Sequence, residues 1–129
     1  MSENRYLKSR IRSFQNALEG LKYVLITQQN ARIHAAFTLI VFLFAFLLNL
    51  NGSEWVSLLL VIGLVWAAEI LNTAMEVLVD MVSPEHNQGA MIIKDISAGA
   101  VLISAVISVL VGIMIFGPKI YQLVKILFS

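Results

Sequence analysis

Cysteine is absent from the 129 residues, which excludes disulfides, thiolate nucleophiles and cysteine metal ligands. Charge is scarce. Asp, Glu, Lys and Arg make up 13% of the chain, where a soluble domain carries about 25%. The seven glycines are scattered. None forms a GxGxxG turn or a GxxxxGK phosphate loop, and HExxH and GxSxG are missing too. What is present is apolar: 59% hydrophobic residues and a mean hydropathy of +0.85. This composition specifies an integral membrane protein, read as one domain over residues 1–129. The opening MSENRYLKSRIRSFQNALEG lacks an apolar core beside a small-residue cleavage site, so it is expected to stay on the mature chain.

Three apolar segments are long enough to cross a bilayer: residues 33–50, 55–82 and 96–116. Asn49 to Ser53 carries turn chemistry between the first two, with Ser53 expected as the helix N-cap and Glu54 in the first turn. Pro84 should end the second helix near Ser83, and Pro118 should end the third. Tyr121 and Lys119 then read as interface anchors. Before the first span, Leu7, Ile11, Phe14, Leu18, Leu21 and Leu25 recur every three or four residues. That spacing puts them on one face of an amphipathic helix over residues 4–29, expected to lie on the membrane surface. Arg5, Lys8, Arg10, Arg12, Lys22 and Arg32 precede the first span, and Lys94 lies at the second connection. The positive-inside rule puts these parts in the cytoplasm. No nucleic-acid partner is expected.

The second span carries charge that lipid does not tolerate. Glu69, Asn72, Glu76 and Asp80 project at about 0°, 300°, 340° and 20° on a helical wheel, one stripe roughly 80° wide. A carboxylate near the bilayer centre costs a few kcal/mol, so the stripe should face the bundle interior, a partner subunit or water. Counting from Trp55 on the outer side, Glu69 lies about 21 Å in, and Glu76 and Asp80 reach the cytoplasmic border. Asp80 occupies the last turn, where the helix dipole disfavours an anion, so a positive group such as Lys94 or a metal ion should meet it. Carboxylates with an asparagine and a lysine suit phosphoryl transfer: carboxylates hold Mg²⁺, cations neutralise phosphate, and one carboxylate takes the nucleophile's proton. The deeper Glu69 suits the role of base toward a lipid hydroxyl, and Glu76 that of metal ligand. The same stripe also suits an oligomeric ion or proton conductor, or interhelical packing.

Glu69-Ile-Leu-Asn72-Thr-Ala-Met-Glu76, then Asp80, Glu85, Lys94-Asp95 and Ala98-Gly99-Ala100-Val101, resemble the prokaryotic diacylglycerol kinase family, which includes undecaprenol kinases. The resemblance extends to Gly20-Leu21-Lys22 and to Asn30, Arg32 and His34. It implies an all-α membrane protein with three transmembrane helices and an N-terminal surface helix, assembled as a homotrimer with shared active sites. It also implies a bacterial cytoplasmic membrane, ATP with Mg²⁺ as phosphoryl donor, and a membrane lipid alcohol as acceptor. On this resemblance Glu69 is the catalytic base. Asn72, Glu76, Glu85, Lys94 and Asp95 serve the nucleotide, and Asp80 and Arg32 support the site. Glu76 and the residue at position 28 serve the metal, although Gln28 stands where the family usually has a glutamate. Ala98, Asn30 to His34 and Gly117-Pro118-Lys119 are more similar to the undecaprenol kinase branch. His34 reads as an interfacial histidine, with contact to phosphate as the alternative.

Overall fold

Capping and turn residues divide the chain into four helices. The computed structural model describes residues 3–85 and 87–128. They form α1 (Glu3–Thr27), α2 (Gln29–Leu47), α3 (Gly52–Val82) and α4 (Gln88–Leu127). The last three are each long and apolar enough to cross a membrane. α1 and α2 are separated by Gln28 alone, in extended backbone at φ −99° and ψ 122°. The expected boundary near residue 29 is therefore a break at Gln28, and α2 begins ahead of its apolar run.

The turn from α2 to α3 rests on two asparagines. Asn49 takes φ 49°, the left-handed region that asparagine tolerates. The Leu50 N–H then bonds back to Ala45 O at 3.2 Å, closing a Schellman-type C-cap. Ser53 is not the N-cap of α3. Asn51 is: its side chain accepts from Glu54 N at 3.0 Å, and Glu54 Oε2 accepts from Asn51 N at 2.7 Å. This capping box satisfies two otherwise orphan donors, while the Ser53 hydroxyl donates to Asn51 Oδ1. Below the turn, Ala45, Leu50, Leu58 and Ile115 form the apolar core, and Trp55 packs at a tilt against Phe42 and Phe46.

α3 and α4 pair antiparallel along their length. Leu58 packs with Ile115 at one end and Asn72 bonds Ser97 toward the other. α3 stops at Val82, with Ser83 as C-cap before Pro84, as the proline rule requires. Pro118 does not end α4, which runs on to Leu127. Two features explain the continuation. The preceding residue is Gly117, so no Cβ meets the proline ring. Lys119 pairs with Glu54 at 3.1 Å, fixing the segment to the start of α3. At about 1.5 Å per residue this helix of 40 residues is about 60 Å long, roughly twice a hydrocarbon core. On α1 the apolar stripe Leu7, Ile11, Phe14, Leu18, Leu21 and Leu25 is exposed, and Val24 is buried.

Candidate active site

The end of the bundle where α1 breaks into α2 is polar. Glu76 on α3 is its centre, with both carboxylate oxygens occupied. Oε1 accepts from Asn72 Nδ2 at 2.9 Å, one turn back on the same helix. Oε2 accepts from Gln28 Nε2 at 3.1 Å, from the α1–α2 break. The break thus aims Gln28 at α3, and bonds from amides to a carboxylate are of the stronger, charge-assisted kind. Asn72 is itself held by α4: Ser97 Oγ lies 2.6 Å from Asn72 Oδ1 and 2.9 Å from Lys94 O, its single proton shared between them. Two helices, α3 and α4, and the break therefore meet in the chain Gln28–Glu76–Asn72–Ser97.

One turn beyond Glu76, Lys94 Nζ pairs with Asp80 Oδ1, supplying the cation expected at the end of α3. Both side chains are substantially exposed, so the pair adds little stability. Glu85, Asp95 and Arg32 are exposed, and the chain does not bring them into this hydrogen-bonded group. Among the described residues, no three His, Cys, Asp or Glu side chains stand close enough to hold a metal ion.

Glu69 is two turns deeper, about 10 Å along α3 from Glu76. It is 1% exposed and the bulkiest side chain buried to that degree. Its Oε2 has no hydrogen-bond partner, and His34 Nε2 lies 3.9 Å away. Leaving a buried carboxylate oxygen unpaired costs roughly 1–3 kcal/mol or more. A natural fold retains such a group where it is used. The Thr73 hydroxyl donates to the backbone oxygen of Glu69 at 2.9 Å, a local helix bond that does not reach Oε2.

Sequence reasoning missed Ser97, although it stands three residues after Lys94 on the same helical face. It also missed the approach of His34 to Glu69. That contact depends on how α2 packs against α3.

Buried and half-buried carboxylate and amide groups gather at one end of a three-span helical bundle, an arrangement suited to handling charged groups at the bilayer edge. The chain matches the prokaryotic diacylglycerol kinase family over residues 15–116. It is 40% identical over 116 residues to the undecaprenol kinase of Bacillus subtilis, covering 90% of this chain and 91% of that protein. It is 39% identical over 112 residues to the diacylglycerol kinase of Synechocystis, covering 86% of this chain and 64% of that protein. The chain belongs to the prokaryotic diacylglycerol kinase family. It is a multi-pass membrane lipid kinase, and the conductor reading of the stripe falls away.

Proposed function

We propose that this kinase transfers the γ-phosphoryl group of ATP to the hydroxyl of a membrane lipid alcohol, undecaprenol or diacylglycerol, at the cytoplasmic face of a bacterial membrane. Undecaprenol is favoured as acceptor, because the relative of that name aligns along nearly its whole length. The observation that carries the mechanism is Glu69: a buried carboxylate oxygen without a hydrogen-bond donor, on the same helix face as a polar cluster nearer the membrane edge. Glu69 takes the hydroxyl proton as the lipid oxygen bonds to the γ-phosphorus and the bond to the ADP oxygen breaks. Burial keeps water from competing with the lipid hydroxyl.

Glu76 and Gln28 fit Mg²⁺. The ion takes oxygen donors, commonly one or two carboxylates completed by substrate phosphates. Glu76 supplies a carboxylate, and the Gln28 amide beside it offers a carbonyl oxygen when it turns over. Bound there, Mg²⁺ would neutralise phosphate charge. Asn72 orients Glu76, and Lys94 offers its ammonium to the phosphates, with Asp80 holding it until they arrive. Glu85 and Asp95 serve the nucleotide, and Arg32 a phosphate.

A homotrimer with shared sites is supported by two observations. Glu85 and Asp95 stay apart from the cluster within one chain, so a neighbouring subunit's nucleotide is within their scope. The chain also leaves apolar faces exposed on every helix. The basic residues of α1 place the N-terminus in the cytoplasm with the α1 stripe on the membrane.

The test is transfer of labelled γ-phosphate from ATP by the purified protein in micelles holding undecaprenol or diacylglycerol. Labelled lipid is expected from at least one of them, with the larger yield from undecaprenol. No labelled lipid from either would overturn the substrate assignment.

A further inference from the structure

A buried base must shed its proton after every turnover. Glu69 is 1% exposed, so a proton taken from the lipid hydroxyl has no direct contact with water. The side chains around the polar stripe offer few ways out. Asn72 and Gln28 are amides and do not titrate, and both donate to Glu76. Thr73 is committed to the backbone of Glu69. The titratable group beside Glu69 Oε2 is His34, whose Nε2 stands 3.9 Å away and whose side chain is 20% exposed. That distance exceeds a hydrogen bond. A shift of about 1 Å or one intervening water closes it, and catalytic hydrogen bonds are often long before substrate binds. Imidazole is the side chain that gains and loses a proton near neutrality. One turn toward the start of α2, on the same face, stands Asn30, exposed and polar. His34 is therefore a step between a sealed carboxylate and the open end of its helix. It also lines a cleft of about 300 Å³ between α2, α3 and α4, where every other lining side chain is apolar save the hydroxyl of Ser108.

We propose that His34 is the proton exit for Glu69, an inference that rests on the reading of Glu69 as the base. After transfer, the O–H bond of the Glu69 carboxylic acid breaks and an N–H bond forms at Nε2 of neutral His34. The imidazolium then gives a proton to water on the Asn30 side. Glu69 is left ionised for the next lipid, and His34 is neutral again. No electrons move and no further reactant is needed. His34 acts through Glu69 and is a positioning residue in this sense, so removing it slows the recharging of the base and spares the first phosphoryl transfer.

Rapid-quench kinetics on the full-length protein with undecaprenol and labelled ATP separate the two. In His34→Gln, which keeps a polar side chain but does not take up and release a proton, the first turnover should stay within about twofold of wild type. Steady-state turnover should fall about tenfold or more, the KM for ATP should hold, and added imidazole should restore part of the loss. Steady-state turnover within twofold of wild type would overturn the exit. Equal loss in the first and later turnovers, unmoved by imidazole, would overturn it as well, since a purely structural role gives that result. Glu69→Gln is the control and should lose the first turnover. If it turns over instead, the base assignment itself fails, and that outcome is distinct from a failure of His34 alone.

Discussion

Gln28 holds Glu76 from the α1–α2 break, and its geometry says what a change there does. As an amide it donates to Glu76, so the carboxylate is held without a cation. A glutamate in the same place would set two anions against each other until a cation came between them. Gln28→Glu should therefore lower the half-saturating Mg²⁺ concentration for lipid phosphorylation several-fold. The same variant should unfold at a lower temperature than wild type in EDTA and recover when Mg²⁺ is added. An unchanged Mg²⁺ requirement would remove position 28 from the metal site. At this scale the sequence was informative where one helix carries the pattern. Glu69, Asn72, Glu76 and Asp80 share a face because 3.6 residues make a turn, and no partner helix is needed to see it. Ser97 on Asn72 and His34 beside Glu69 arise from the packing of α4 and α2 on α3. A single chain without its packing does not fix that register.

Helix ends were readable where a rule acts alone and misread where two rules compete. Pro84 ended α3 because nothing opposes it. Pro118 did not end α4, because Gly117 removes the steric penalty and the Lys119–Glu54 pair holds the segment in line. At the start of α3, Asn51 and Ser53 are both good caps by residue type. Asn51 wins because its carbonyl reaches the Glu54 N–H three residues on and Glu54 reaches back. Asn51→Ala should cost about 1 kcal/mol of stability, whereas Ser53→Ala should cost less, since only its bond to Asn51 is lost. Comparing the two variants by thermal unfolding in one detergent checks the assignment, and an equal or reversed order would contradict it.

At the scale of the molecule, three spans and an amphipathic leading helix follow from hydropathy and period alone, and the structure has them. Less visible was the division of labour between the two ends. The Ala45–Leu58–Ile115 core with its tilted aromatic cluster closes one end. The other end is held by hydrogen bonds among Gln28, Glu76, Asn72 and Ser97. α3 and α4 form the rigid pair joining them, and α1 returns to α3 through a one-residue break. The apolar surface left exposed on all four helices is expected to be covered by lipid and by sister subunits. Cross-linking of the purified protein in native lipids should give trimers as the largest species, and monomers alone would argue against shared sites.

A carboxylate buried in the bundle is proposed as the base of this lipid kinase. The most direct measurement of that role pairs phosphoryl transfer with ATP binding in Glu69→Gln, an isosteric change that removes only the capacity to take a proton. Transfer to lipid is expected to fall by about a hundredfold or more, with ATP affinity close to wild type. Transfer near the wild-type rate in that variant would contradict the assignment of Glu69 as the base.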